Sequence, residues 1–479
     1  MNRELKRVSA AVLLMFVALF ASGTIITVFQ EENLRADPRN VRTLYASFSA
    51  ERGPILVDGA PVAESTPVDT DFKFQRVYNN PLLYSHVTGY YTLNQGNAGI
   101  EGALNDYLTG TANDQFFDQL SSIFTGASPK GAAVELTIDP VLQQAAWDAL
   151  GDYRGSVVAI DPATGAILAM VSKPSFDPNL LAAHDTSSVI SAYEQLSADP
   201  TSPLDNRALA GDLYHPGSVF KVLTTAAAID SGAYEPDTAI ANPPTLKLPL
   251  SNSVISNAEG GTCGGGETVS LRDALRLSCN IPFAQIGSSL GEDVLGEYAE
   301  AFGFGDRVQV PMPATASVFP DDMDEPQLML SSFGQASVRT TPLQIAMVTA
   351  AVANGGTLMQ PTLVERILAP DLTELVAFEP SVYSEPISAE TAETMVPMMV
   401  ANVANGAASN ARMNGVDVGG KTGTAQNSEG TPNTLWFTGF APASDPQIAI
   451  AVVVENGSGF GNQVAAPIAK KVFEAVLSK

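Results

Sequence analysis

The sequence predicts an α+β fold, an antiparallel sheet flanked by helices, with a small irregular module and one long apolar helix ahead of it. Three observations carry that prediction. Ser156–Ile160 and Ala166–Val171 are apolar runs joined by Asp161-Pro162-Ala163-Thr164-Gly165, the pattern of a β-hairpin. Leu435–Ala441 and Ile448–Val454 form a second strand pair across the turn residues Ser444-Asp445-Pro446. Between the pairs the chain has mostly helical periodicity with Gly-rich interruptions, and Leu142–Leu150 and Ala466–Leu477 carry helical spacing outside them.

From the N-terminus, Arg3, Lys6 and Arg7 precede an uncharged, mostly apolar run from Val8 to Phe29, and Glu31 and Glu32 follow it. About 20 such residues span a bilayer as a helix. The basic residues ahead of the run place the N-terminus in the cytoplasm and the body outside. The competing reading is a signal peptide cleaved near Ala21-Ser22-Gly23; a cleavable core is only about 7–15 residues long, shorter than this run. Leu343–Ala353 is apolar but too short to span, and reads as a buried helix. Residues 30–48 are polar and link the anchor to the body. Residues 49–130 are rich in Gly, Asn and Tyr, with short alternating stretches, and the texture changes at Val134. The division is a tail at 1–7, an anchor at 8–29, a linker and pedestal module at 30–133 and the main domain at 134–479. No internal repeats are evident.

Composition narrows the classes. The chain has 479 residues, 45% hydrophobic and 16% charged, so it can bury large cores. Acidic residues number 51 against 25 basic ones, for a formal charge of -26, and no basic face is evident to neutralise phosphates; nucleic-acid binding is not expected. The acidity itself is read as solubility. Histidine occurs three times, at His86, His184 and His215, with no CxxC pair or Cys/His cluster, so no metal site is expected. Cys263 and Cys279 can form a disulfide if the body is extracytoplasmic; the alternative is two reduced, buried thiols.

Three short segments carry chemistry. In Pro216-Gly217-Ser218-Val219-Phe220-Lys221 the Pro-Gly pair breaks the chain, and Ser218 opens the apolar helical run Val219–Ile229. A helix start favours developing negative charge. Lys221, one turn on, lies within reach of the Ser218 hydroxyl, and a desolvated lysine can accept its proton. The second segment is Ser278-Cys279-Asn280, after the helical stretch Leu271–Leu277. The third is Lys421-Thr422-Gly423-Thr424, where a strand would put Lys421 and Gly423 on one face and the threonines on the other. Gly423 lets a substrate approach the backbone. Singly, each segment is equally a helix cap, a loop turn or a Gly-bearing strand.

In this order the three segments resemble the signature of penicillin-binding proteins and serine β-lactamases. Further segments resemble class B penicillin-binding proteins: Arg52-Gly53-Pro54-Ile55, Gly99-Ile100-Glu101 with Leu108-Thr109-Gly110, and Leu136-Thr137-Ile138-Asp139 with Leu142-Gln143. So do Pro174-Ser175-Phe176-Asp177-Pro178-Asn179, Asn206-Arg207-Ala208, and Thr341-Pro342-Leu343-Gln344 through Asn354-Gly355-Gly356. The resemblance covers nearly the whole chain after the anchor, and the short pedestal resembles the actinomycete PbpA group.

The resemblance implies a penicillin-binding, β-lactamase-like transpeptidase domain without a cofactor. Ser218 would attack the penultimate D-Ala of a peptidoglycan stem peptide ending D-Ala-D-Ala, releasing the terminal D-Ala, and an amine from a neighbouring stem would resolve the acyl-enzyme. Lys221 would be the base, Ser278 and Lys421 would relay the proton towards the leaving nitrogen, and Asn280 would hold Lys221 and the substrate amide. Thr422 and Thr424, with Lys421, suit the terminal carboxylate. The backbone N–H groups of Ser218 and Thr424 would form the oxyanion hole beside Gly423. β-Lactam antibiotics would acylate the same serine. The stretch from Phe29 to Val134 is too short for a glycosyltransferase domain, so the resemblance implies a separate SEDS-type glycosyltransferase partner. Cys279, inside the second segment, is unusual; tied to Cys263 it could fix the loop holding Ser278 and Asn280.

The rival functions are a D,D-carboxypeptidase or β-lactamase of the same fold, a β-lactam sensor, and a scaffold with relic motifs. No clear acidic loop is placed to activate water as a β-lactamase requires. A sensor needs a signalling apparatus that a seven-residue cytoplasmic tail does not offer. Intact Ser218, Lys221, Ser278, Asn280 and Lys421 argue against a relic.

Overall fold

The computed structural model describes residues 2–26, 50–70, 72–115, 130–211, 213–258, 260–427 and 430–478. The expected linker at 30–48 and the end of the anchor at 27–29 lie outside the described residues. The N-terminal helix spans Asn2–Thr24, and its segment Leu5–Thr24 is long and apolar enough to cross a membrane. None of that segment is buried against the body, so its apolar side chains have no protein core to enter.

The module after the linker is built on a six-stranded sheet. Ile55–Val57, Ala60–Pro67 and Phe74–Tyr78 form an antiparallel meander. Its first turn is Asp58-Gly59, both residues at positive φ, the two-residue turn whose twist suits a hairpin. Ala133–Leu136 pairs parallel to Ile55–Val57, and Val364–Leu368 and Glu374–Ala377 complete the sheet from far along the chain. The texture change at Val134 thus falls inside a strand shared by both parts of the body. Glu101, fully buried, accepts hydrogen bonds from Arg52 Nε at 2.5 Å and Arg76 Nε at 2.6 Å. Burial alone would raise its pKa; the two guanidiniums outweigh burial and hold the carboxyl below its ordinary range.

The main domain is centred on a five-stranded antiparallel sheet. Its strands are β1 (Gly155–Ile160), β2 (Ile167–Lys173), β3 (Gly419–Ala425), β4 (Asn433–Ala441) and β5 (Ile448–Gly457), in the order β3-β4-β5-β1-β2. Both strand pairs expected from the sequence are present, and β5 joins them. The helices that matter to the site are α1 (Pro140–Leu150), α2 (Lys221–Asp230), α3 (Leu271–Leu277) and α4 (Ile281–Ala301). They are followed by α5 (Pro342–Ala353), α6 (Ala389–Asn405) and α7 (Ala465–Leu477). Asp139 caps α1, accepting from the Val141 and Leu142 N–H groups at 2.9 and 3.0 Å.

Helices α1 and α7 cover one face of the sheet, sealing Val157, Phe437, Val452 and Phe473 into one core. The buried helix α5 covers the other face, where Trp436, Phe440 and Val453 join the core beneath α2 and α4. Near-continuous apolar strands such as Ile448–Val454 follow from this sandwiching, because both faces of the sheet are dry. Strand β3 lies at the sheet edge, with a ladder partner on one side only.

Candidate active site

Ser218 does not open an α-helix directly. It lies in a 3₁₀ turn, Gly217–Phe220, and α2 begins only at Lys221. The tighter turn has about three residues per turn, so Ser218 and Lys221 are stacked more directly than an α-helix would place them. The cause is the Pro216-Gly217 entry. Gly217 has φ +55°, its N–H donates to the Gly334 carbonyl at 2.8 Å, and a Cβ on Gly334 would come within 2.2 Å of the Gly217 oxygen. Only a chain with glycine at both positions can bring these two loops so close. Trp436 Nε1, on β4, donates to the His215 carbonyl at 3.0 Å and pins the same segment to the sheet. Ser218 is partly exposed, and among the described residues its hydroxyl has no hydrogen-bond partner.

The two lysines named by the sequence converge on Ser278. Lys221 Nζ donates to the Ser278 carbonyl at 2.9 Å and to Asn280 Oδ1 at 2.8 Å. Lys421 Nζ donates to Ser278 Oγ at 2.7 Å and to the Thr422 carbonyl at 2.8 Å. Both lysine side chains are 0% exposed. Burial pushes Lys221 well below the ordinary lysine value, and the neighbouring Lys421 charge pushes it further. Burial alone lowers Lys421 to about 7. The rings of Phe283 and Phe333 lie 5.4 and 5.8 Å from Lys221 Nζ and help exclude water from it.

Ser278 sits just beyond the end of α3 in the left-handed region, φ 61° and ψ 40°, which a serine seldom adopts. Several contacts hold it there. Asn402, fully buried on α6, donates its amide to the carbonyls of Leu275 and Arg276 at 2.8 and 3.0 Å, satisfying the end of α3. The next residue, Cys279, is disulfide-bonded to Cys263, so the two cysteines are bridged rather than free. These supports leave the side chain of Ser278 facing Lys421 while its carbonyl faces Lys221.

The third segment forms edge strand β3. A Cβ on Gly423 would lie 3.0 Å from the Pro216 carbonyl oxygen, so the strand and the Ser218 turn touch through glycine. Alternation along the strand separates Lys421 from the threonines. The Thr422 hydroxyl donates to the Ala407 carbonyl at 3.1 Å. Thr424 Oγ1 accepts from the Gly461 N–H at 3.1 Å and keeps its own proton available. The structure therefore gathers Ser218, Lys221, Ser278, Asn280 and Lys421 around one edge of the sheet and engages the two threonines differently.

A second polar cluster supports the approach to Ser218. Glu455, at the end of β5, accepts from Arg207 Nε at 2.8 Å and from the Tyr214 hydroxyl at 2.6 Å, and pairs with Arg154. Tyr214 in turn meets Trp436 edge to face at 5.8 Å between centroids. The sequence flagged Arg207 only through its resemblance segment. Nothing local marked Asn402, Tyr214 or Glu455.

A five-stranded antiparallel sheet between helices, with a Ser–Lys turn against its edge strand, is the architecture of the penicillin-binding and serine β-lactamase transpeptidase fold. A family model for the penicillin binding protein transpeptidase domain matches residues 155–474, and one for the penicillin binding protein A dimerisation domain matches residues 52–134. The peptidoglycan D,D-transpeptidase PbpA of Mycolicibacterium smegmatis is 42% identical, over 100% of this chain and 99% of its own length. The protein of the same name from Mycobacterium tuberculosis is 40% identical, also over 100% of this chain and 99% of its own. The solved structure of penicillin-binding protein A from M. tuberculosis as a ceftriaxone acyl-enzyme complex gives a TM-score of 0.87 at 39% identity, covering 90% of this chain and 100% of that one. The chain belongs to the penicillin-binding protein transpeptidase family, among the class B members of the PbpA group.

Proposed function

We propose that this chain is a membrane-anchored serine D,D-transpeptidase that cross-links peptidoglycan stem peptides through an acyl-enzyme on Ser218 and is acylated there by β-lactams. The observation that carries the proposal is the meeting of Lys221 and Lys421 on Ser278, one at its carbonyl and the other at its hydroxyl, with both lysines driven towards the neutral state by burial. Neutral Lys221 takes the Ser218 proton as Oγ bonds to the penultimate D-Ala carbonyl carbon. The C–N bond to the terminal D-Ala then breaks, and the departing nitrogen receives a proton through Ser278 and Lys421. The amine of a second stem attacks the ester, its proton returns by the same path, and Ser218 is regenerated. Asn280 holds Lys221 and the donor amide. Thr424 receives the terminal carboxylate, which Thr422 joins only by releasing Ala407. Ser218 and Thr424 N–H groups stabilise the oxyanion.

On this reading residues 134–479 carry the transpeptidase, residues 30–133 form the linker and pedestal, residues 8–29 are the single anchor, and residues 1–7 face the cytoplasm. The basic residues before the apolar helix and the disulfide, which suits an oxidising compartment, both support an external body. A SEDS-type glycosyltransferase touching the anchor and pedestal would supply the glycan strands.

Intact-mass spectrometry of the full-length protein in detergent, with and without penicillin G, tests the central claim. One stable adduct, absent from Ser218→Ala, is expected. Rapid return to the free mass with hydrolysed drug would identify a β-lactamase, and the absence of any adduct would sink the acyl-enzyme reading. Release of D-Ala from a pentapeptide without cross-linking would identify a carboxypeptidase.

A further inference from the structure

We propose that Asn257 is a positioning residue for acylation: by accepting from the first backbone N–H groups of α4, it anchors Asn280 where its side chain reaches Lys221. The inference rests on the role given to Lys221 above.

The first N–H groups of a helix have no partner within it, and an asparagine at the residue before the helix ordinarily accepts from one of them with its own side chain. Asn280 occupies that position on α4 and makes no such bond. Its Oδ1 accepts instead from Lys221 Nζ at 2.8 Å. The helix end is satisfied by other means. Pro282 has no N–H to satisfy. The N–H groups of Asn280 and Ile281 both donate to Asn257 Oδ1, at 2.9 and 3.2 Å. Asn257 is buried, at 6% exposure, and its own Nδ2 donates to the Gly261 carbonyl at 3.0 Å, which fixes which end of its amide faces α4.

The residue before it completes the arrangement. Asn280 Nδ2 donates to the Ser256 carbonyl at 3.0 Å. That bond orients the Asn280 amide with its oxygen towards Lys221; reversed, the amide would point N–H groups at an amine and an oxygen at a carbonyl. Two adjacent residues at the end of a short hairpin, Thr245–Lys247 with Val254–Ser256, thus hold the backbone of Asn280 with one and its side chain with the other. Without the Asn257 oxygen, the N–H groups of Asn280 and Ile281 lose their acceptor, and the Asn280 backbone loses its anchor beside Ser256. An Asn280 whose backbone shifts no longer presents its oxygen to Lys221.

The test is a double-mutant cycle on the full-length protein in detergent, reading the second-order rate constant of acylation by fluorescent penicillin and the melting temperature of each variant. Asn257→Ala is expected to slow acylation about tenfold, the effect of losing one hydrogen bond to an ionisable group. In an Asn280→Ala background the same substitution is expected to change the rate by less than about twofold, within ordinary additivity error. Asn257→Asp keeps an acceptor oxygen for both N–H groups and is expected to stay within about threefold of wild type. Multiplicative slowing across the cycle, or an Asn257→Asp variant as slow as Asn280→Ala, overturns the capping role; the second holds even if Asn257→Ala does not fold. An Asn280→Ala variant that acylates at the wild-type rate would instead remove the role assigned to Lys221 and Asn280, so the two failures are distinguishable.

Discussion

Replacing Lys421 with methionine is expected to stabilise the fold at neutral pH while abolishing acylation. Lys421 is 0% exposed, and burial lowers its pKa from 10.5 to about 7. Because the folded value is the lower one, the unfolded chain binds more protons between those two pH values, and stability rises with pH through that window. The slope from this residue is about 1.4 kcal/mol per pH unit. At pH 7 the buried amine therefore costs about 4 kcal/mol relative to its state at high pH, and at pH 9 about 2 kcal/mol. Methionine fills similar volume without that penalty but loses the bonds to Ser278 Oγ and the Thr422 carbonyl, which are worth about 1–3 kcal/mol together. The net expectation is a gain of about 1–3 kcal/mol at pH 7 that shrinks to nothing near pH 9. Denaturant unfolding of both proteins at pH 7, 8 and 9 measures this directly, with penicillin labelling for activity. Equal pH slopes for the two proteins, or a methionine variant destabilised equally at pH 7 and 9, would refute the claim that Lys421 is held near neutrality by burial.

Three further outcomes follow from the same contacts. Ser278→Ala removes the acceptor of the 2.7 Å bond from Lys421 and is expected to slow penicillin acylation by about ten- to a hundredfold, with a small change in melting temperature. Cys263→Ser opens a bridge between residues 16 apart, so thermal unfolding should show a loss of about 3 kcal/mol, which reducing agent should reproduce in the wild type. Glu455→Gln leaves Arg207, 3% exposed at its side chain, and Arg154 without their carboxylate; denaturant unfolding should register about 3–5 kcal/mol of destabilisation.

The parts of this molecule with a local signature were legible. The hairpin at Asp161–Gly165 and the pair across Ser444-Asp445-Pro446 were written in turn residues, and the buried helix in the largely apolar run Leu343–Ala353. The turn at Ser218 was not, because a 3₁₀ start and an α start share the same apolar spacing; the difference lies in the packing of Gly217 on Gly334, more than a hundred residues away in sequence. The pedestal looked irregular because two of its six strands come from elsewhere: Val364–Leu368 and Glu374–Ala377 join strands that local pattern cannot connect to them. The chemically active residues stood out as motifs, but what surrounds them did not. Asn257 and Asn402 are ordinary amides in sequence, and only the fold delivers them to the ends of α4 and α3.

The burial of two lysines without a carboxylate is itself informative. A carboxylate partner would favour the ammonium form and hold each lysine protonated at neutral pH, leaving no base for Ser218. Among the described residues, Lys221 and Lys421 donate only to carbonyl, amide and hydroxyl oxygens, in a chain that carries 51 acidic side chains. Glu455, at the end of β5, is held by Arg207, Arg154 and Tyr214. Burial disfavours charge at both amines, and the Lys421 charge disfavours it further at Lys221. Ser278 meets the two lysines through different atoms: its carbonyl accepts from Lys221 and its hydroxyl from Lys421. A serine hydroxyl accepts from Lys421 and can donate onward to a leaving nitrogen without carrying charge into the site, while the carbonyl of the same residue, in its left-handed backbone conformation, holds Lys221.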